Sequence, residues 1–254
     1  MARPGSPLAD KAVLVTGAAR RVGAAIAAAF HAEGARLAVH YRSSQAEAEA
    51  LVARLNAARP GSARAFQADL ADAAACDALP ARVLRDFGRL DVLVNNASTF
   101  YATPVGSITP DQFDDLVGSN LRAPLFLAQA AAPELAKREG LILNIADIHG
   151  IRPLGRHAVY CAAKAALVML TRSLARELGP GVRVNAIAPG PVLWPENGVD
   201  TQLRERIVAR TALRRSGTPE DVAKAALFFA QDAPFVTGEV LAVDGGRLVA
   251  GEER

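Results

Sequence analysis

Short apolar runs alternate with longer alanine-rich stretches along the whole chain. The runs, rich in valine, isoleucine and leucine, predict strands over residues 12–16, 36–41, 63–67, 90–95, 141–146, 182–188 and 240–243. Between them, helical patterns cover residues 22–33, 46–58, 73–87, 111–137, 158–178 and 219–230. Gly34, Gly88, Gly140 and Gly179 fall where those helices should stop. Near-continuous apolar strands separated by helices predict a parallel sheet covered on both faces. Right-handed crossovers then make a doubly wound α/β sheet of about seven parallel strands, with ligands at their carboxyl ends. No linker or repeat interrupts the series, so residues 1–254 read as one domain. The longest irregular stretch, from Pro189 to about Val199, should border the substrate site, within a loop spanning about 189–215.

Composition narrows the chemistry. The chain has 254 residues, 51% of them hydrophobic, enough for a sizeable core. Its 29 basic and 26 acidic side chains leave a formal charge of +3, and no long Lys/Arg run occurs. Neither nucleic acid nor a membrane surface is therefore expected as a partner, while an anionic cofactor is compatible. Residues 1–7 lack a signal-peptide core, and no stretch approaches about twenty uninterrupted apolar residues. A soluble, cytoplasmic protein is expected. Cys76 and Cys161 have no metal-ligand spacing and read as a reduced pair, so no metal site is expected.

The chemistry gathers in three places. Tyr160 and Lys164 stand at i and i+4, on one face of a helix, and Asp147 precedes Tyr160 by thirteen residues. An ammonium beside a phenol favours the phenolate and should lower the tyrosine pKa, making it a usable proton donor. Residues 16–23, Thr-Gly-Ala-Ala-Arg-Arg-Val-Gly, follow the first strand and open a helix. Gly17 permits a tight turn and Gly23 close helix–strand packing, so backbone N–H groups there can hold a pyrophosphate. The second strand ends His40-Tyr41-Arg42-Ser43 without the acid that would take a ribose 2′-hydroxyl. Arg42 and Ser43 suit a 2′-phosphate instead, and NADPH is the expected cofactor.

These residues resemble the short-chain dehydrogenase/reductases over nearly the whole chain. That family usually carries serine at the place of Asp147. The aspartate resembles the pteridine reductase branch, as do the words Asp147-Ile148-His149-Gly150-Ile151-Arg152-Pro153 and Pro189-Gly190-Pro191-Val192-Leu193-Trp194-Pro195. The resemblance implies a Rossmann-type reductase that passes hydride from NADPH to a dihydropterin or dihydrofolate. Family members are usually tetramers, built through helices 111–137 and 158–178 and the last strand, so a homotetramer is expected.

Site roles follow from the same resemblance. Gly17, Arg20, Arg21, Val22 and Gly23 would lie at the phosphates. Arg21 replaces the family's middle glycine, and its guanidinium either reaches a phosphate or is merely solvated. His40 and Tyr41 flank the 2′-phosphate site, although His40 also reads as a plain strand-end residue. Asp69 and Leu70 match the adenine contact, with a helix N-cap as the other reading of Asp69. Asn96, Ala97 and Ser98 match the adenosine-side segment, and Pro189 and Gly190 the nicotinamide-side turn. Asn120 matches the asparagine that bends a long helix and holds a relay water. Lys164 would bind the nicotinamide ribose and tune Tyr160, the proton donor. Ser98, Phe100, Asp147, Tyr160 and Trp194 would meet the pterin, Phe100 by stacking unless it is an ordinary buried aromatic.

Asp147 sharpens the substrate. An ionised carboxylate cannot donate a hydrogen bond and repels a developing oxyanion, so it suits a ketone poorly. A pterin presents ring nitrogens and an amino-pyrimidine edge rich in donors, which a carboxylate accepts. Two alternatives stay open: a 3-oxoacyl-thioester or carbonyl reductase of the same family, and a non-catalytic NADP-binding regulatory protein. Asp147 also has a bland reading, as the cap of a loop.

Overall fold

A computed structural model describes residues 5–193 and 200–250. Its strands are β1 (Ala12–Val15), β2 (Arg36–Tyr41), β3 (Ala63–Gln67), β4 (Val92–Asn95), β5 (Gly140–Ile145), β6 (Val182–Pro189) and β7 (Val240–Val243). They form one parallel sheet in the order β3-β2-β1-β4-β5-β6-β7. Each apolar strand is buried on both faces, so the sheet needs two covering layers. One layer contains α1 (Arg21–Ala32), α2 (Gln45–Ala58) and α8 (Pro219–Gln231), whose Ile26, Phe30, Leu51 and Phe229 meet Val13, Val15 and Leu143. On the other face, α3 (Ala73–Phe87), α5 (Ala123–Ala136) and α6 (Ala158–Leu178) bury Leu79, Leu127 and Leu174 against Leu14, Leu93 and Ile142.

Several expectations shift. The stretch 111–137 is not one uniform helix: α4 (Pro110–Val117) and α5 are joined by a π-helical turn, Gly118–Arg122. Gly140 does not stop a helix but opens β5, where a Cβ would crowd the Asp91 carbonyl and the Leu135 side chain. A helix not foreseen, α7 (Thr201–Ala209), lies within the 189–215 loop, and none of its residues is buried. By length and composition α6 is apolar enough to cross a membrane, yet half of that apolar window is buried in the protein, where α6 also carries Tyr160 and Lys164. Cys76 and Cys161 are both free, buried thiols.

Because all seven strands run parallel, every strand-end motif opens on one edge of the sheet. Strand order reverses between β1 and β4, where the ends of two adjacent strands diverge and leave a crevice.

Candidate active site

At the crevice the β1–α1 turn is held by hydrogen bonds from three sides. The Asn96 amide donates to the carbonyls of Thr16 (2.8 Å) and Gly17 (3.1 Å), and Thr16 Oγ1 accepts from the N–H groups of Asn96 and Ala97. Gly17 has φ +60°, and a Cβ on Gly23 would strike the Gly17 carbonyl and the Asn96 amide. No side chain fits at Gly17 or Gly23, so the backbone is bare at those two positions of the turn. Arg20, at the N-cap of α1, makes no capping hydrogen bond, and the first turn contains no acid. A helix start of this kind, with its N–H groups uncapped by side chains, fits a pyrophosphate. Val22 packs partly buried against the core beneath the turn.

Arg21 itself has φ +57°, the left-handed region that a glycine would occupy without strain. The site thus keeps a guanidinium where a strain-free residue would do. Arg42 and Ser43 are exposed at the end of β2, and Arg20 pairs with Glu47 at 3.5 Å. Tyr41 packs partly against the core.

His40 is corrected. It is 1% exposed and cannot lie against a phosphate. Its Nδ1 accepts the Gly17 N–H at 3.0 Å, which fixes the tautomer, so Nε2–H donates to the Ala68 carbonyl at 3.1 Å. Burial, the largest cause, pushes its pKa down to about 4. His40 is a neutral strut under the glycine turn. Asp69 does not cap a helix either; its carboxylate accepts from Ala71 N–H, while Asp72 caps α3. Leu70 is buried beside it.

On the other side of the crevice, Asn120 lies in the π-helical turn and is fully buried. Its amide donates to the carbonyls of Thr99 and Leu116, each at 2.9 Å, and its Oδ1 accepts the Ser98 hydroxyl at 2.7 Å. Both donors are taken within the protein, leaving only one carbonyl lone pair for a relay water. Asn120 therefore ties the bend in the helix to the segment carrying Ser98 and Phe100. Thr103 bridges to His157, with its N–H on the Arg156 carbonyl, and this turns the segment over α6.

Phe100 consequently lies over the site and is 52% exposed, which rules out the buried-aromatic reading. Its ring stands edge-on to Tyr160 at 4.8 Å and stacks on His157 at 4.8 Å and 11°. His157, at the N-cap position of α6 but with its Nδ1 on the Gly155 carbonyl, was not anticipated; its place at i−3 from Tyr160 is the signal that could have found it.

Asp147 closes the constellation at the end of β5. Its Oδ1 accepts the His149 N–H at 2.7 Å, capping a short turn at Ile148–Gly150, and its Oδ2 accepts the Tyr160 hydroxyl at 2.8 Å. The capping reading and the site reading of Asp147 thus hold together, one oxygen each. The Tyr160 pKa goes opposite to the sequence expectation. Burial, followed by the Asp147 charge and its hydrogen bond, raises it well above the ordinary phenol value. Lys164 Nζ is turned to the Ile145 carbonyl at 2.9 Å and lies 5.7 Å from the Tyr160 ring centroid. Burial lowers its pKa to about 8, partly offset by Asp147. The carboxylate, nearer than the ammonium, governs the phenol.

Pro189 and Gly190 end β6, where the Gly190 N–H donates to the Val243 carbonyl and a Cβ would meet Asp244. Trp194 lies outside the described residues. Ser98, Phe100, Asp147, Tyr160 and Lys164 thus converge on one edge of the crevice, with the glycine turn on the other. Such a site can bind a dinucleotide along the strand ends and present a planar group to a protonated phenol beside a carboxylate.

The family model described as "Enoyl-(Acyl carrier protein) reductase" matches residues 17–247. The chain is 38% identical to pteridine reductase 1 of Leishmania tarentolae over 284 aligned residues, covering 95% of this chain and 97% of that protein. It is 37% identical to the 3-oxoacyl-(acyl-carrier-protein) reductase FabG of Staphylococcus aureus, covering 93% and 97%. Among solved structures, a blue fluorescent protein from a metagenomic library, in complex with NADPH, superimposes with a TM-score of 0.89. It is 38% identical and covers 94% of this chain and 98% of that one.

Proposed function

The chain belongs to the short-chain dehydrogenase/reductase family, and we propose that it is an NADPH-dependent pteridine reductase. Its substrate is a dihydropterin or dihydrofolate, reduced at a C=N bond. The observation that carries this reading is the Tyr160–Asp147 hydrogen bond of 2.8 Å. A carboxylate in that position accepts hydrogen bonds and opposes an oxyanion, so it favours a substrate edge that donates over a carbonyl that must be polarised. A half-exposed aromatic beside it, Phe100, suits a flat heterocycle.

NADPH supplies the hydride when bound. Arg42, Ser43 and Arg21 take its 2′-phosphate, and the N–H groups after Gly17 take the pyrophosphate. Lys164 turns to the nicotinamide ribose. Asp147 accepts from the amino-pyrimidine edge, Phe100 stacks on the ring, and Tyr160 delivers its proton to the reduced nitrogen. Ser98 lines the pocket from its place on Asn120. We propose one reductase domain over residues 1–254, with 189–215 covering the substrate. Assembly as a tetramer through the α4–α5 and α6 helices is supported by exposed Phe113 and Met169 there.

The similarity to a 3-oxoacyl thioester reductase makes that activity the rival. NADPH oxidation followed at 340 nm with dihydrobiopterin, dihydrofolate and a 3-oxoacyl thioester decides between them. Turnover of a pteridine alone supports the proposal. Turnover of the thioester alone overturns it, and tight NADPH binding without any turnover makes the chain a regulatory NADP-binding protein. Asp147→Ser should lower pteridine kcat/KM by about 10- to 1,000-fold, as a charged hydrogen bond and a proton-relay partner are lost together.

A further inference from the structure

Phe100 presents its ring to the site from residues 96–102, which belong to no helix or strand. Backbone of that kind leaves an aromatic side chain a choice of rotamers unless a neighbour selects one. The neighbour lies at the start of α6. The His157 imidazole stacks on the Phe100 ring at 4.8 Å and 11°, while the Tyr160 ring meets it at 4.8 Å and 77°. Phe100 is still half exposed, so surface remains for a flat ligand.

His157 is itself fixed. Its Nδ1–H donates to the Gly155 carbonyl at 2.8 Å, and its backbone N–H to the Leu154 carbonyl at 3.3 Å. Arg156, just before it, has φ +64°, the left-handed region that costs a residue with a Cβ. That turn directs the Arg156 carbonyl to the Thr103 N–H, 2.6 Å away, which ties the far end of the Phe100 segment to the same place. On its other side, the His157 carbonyl accepts the Cys161 N–H at 2.9 Å, within the first turn of the helix that carries Tyr160. One turn of α6 therefore sets two positions together: the proton donor directly, and the Phe100 ring through the imidazole.

We propose that His157 is a positioning residue of the substrate site, whose ring holds Phe100 at the tilt on which a flat substrate ring stacks. Aromatic pairs prefer a small set of geometries, so the stack fixes the tilt of Phe100 as well as its place. The identity of the flat ring rests on the pteridine reading; the hold on Phe100 does not.

The test is a double-mutant cycle on KM for dihydrobiopterin. His157→Ala should raise KM by about two- to tenfold, the range that an aromatic pair contributes. The change in kcat should be smaller, and NADPH affinity should stay close to wild type. His157→Phe, which keeps a ring without the bond to Gly155, should restore most of the loss. His157→Gln, which keeps a donor without a ring, should not. In a Phe100→Ala background, His157→Ala should add little, because the ring it holds is gone. An unchanged KM in His157→Ala overturns the proposal, as does an equal loss in the Phe100→Ala background or rescue by Gln rather than Phe.

Fluorine NMR of protein labelled with 4-fluorophenylalanine reads the hold without any substrate, the Phe100 signal being the one that Phe100→Leu lacks. That signal should move towards the value of the free amino acid in His157→Ala and His157→Gln, and back in His157→Phe. If it does so while no pteridine is turned over, the pteridine reading fails and the hold on Phe100 stands. A signal that stays in place in His157→Ala overturns the hold, whatever the substrate.

Discussion

His40 offers a perturbation whose size follows from its surroundings. In the folded protein it is buried and neutral, accepting from Gly17 N–H and donating to the Ala68 carbonyl. Its pKa falls from 6.5 to about 4, with burial as the main cause. Between those values the unfolded chain binds a proton that the folded chain does not. Stability from this group is therefore complete above pH 6.5 and is lost as pH falls towards 4. At 1.36 kcal/mol per pKa unit, the loss is on the order of 3 kcal/mol. For a chain of this size that corresponds to a melting temperature lower by roughly 6–12 °C.

Asn is the informative replacement, because its Oδ1 can stand where Nδ1 stands and still accept the Gly17 N–H. His40→Asn abandons the Ala68 carbonyl, so it should be less stable at pH 7 by about 1–3 kcal/mol. It has nothing to titrate, however. Melting curves of both proteins from pH 7.5 to 4 should converge as the wild type loses its advantage, while the carboxylates titrate alike in each. NADPH affinity at pH 7 should stay within a few-fold in His40→Asn, since the turn keeps its strut. Replacement by Phe, which cannot accept from Gly17, should weaken NADPH far more. Parallel pH dependences in wild type and His40→Asn would refute the assignment, and equal NADPH affinity in the Phe variant would refute the strut.

Three further outcomes are expected. Arg21→Gly should weaken NADPH binding by roughly 1.5–3 kcal/mol if the guanidinium meets phosphate; unchanged affinity would take Arg21 out of phosphate binding. Lys164 has a folded pKa near 8 against 10.5, so the unfolded state holds the extra proton between them and stability from this group rises with pH across that window, by on the order of 3 kcal/mol; a Lys164→Met variant should lack that rise in melting temperature. Tyr160→Phe should reduce kcat by about 100-fold or more with NADPH affinity near wild type, and activity retained within a few-fold would remove Tyr160 from the mechanism.

Much of the architecture was legible because its signals are local. The bounds of β2, β3, β7, α3 and α6 match the periodic pattern residue for residue. The π-helical turn at Gly118–Arg122 was not, since it preserves helical appearance on both sides, although Asn120 marked its place. Helix α7 spans only nine residues, with a short apolar pair at Leu203 and Ile207, and buries nothing, so periodicity gave little signal for it. That Asp147, Tyr160 and Lys164 lie together was expected from motif spacing and the family resemblance, but their electrostatics were not. Tyr160 and Lys164 are neighbours in sequence pattern, whereas the group that dominates the phenol is Asp147, brought to 2.8 Å by the packing of β5 against α6. His40 looked like one more strand-end donor because nothing local announces burial under a glycine turn.

The Asp147–Tyr160 pair also explains how a substrate can be selected by the proton it must receive. The phenol's hydrogen points at the carboxylate, and burial with that charge keeps it there. Delivering it elsewhere strands an ionised carboxylate beside a buried tyrosine, at the penalty of roughly 1.5–3 kcal/mol that a lost charged hydrogen bond carries. A simple ketone brings only acceptors and cannot replace the missing donor. An amino-pyrimidine edge brings N–H groups, so its arrival on Asp147 supplies the bond that Tyr160 gives up and frees the hydroxyl to turn to the reacting nitrogen. Binding and proton release are then one exchange. A serine at the same position, donor and acceptor alike, would impose no such condition. On the pteridine reading proposed above, this one side chain makes the site read the hydrogen-bonding edge of its substrate.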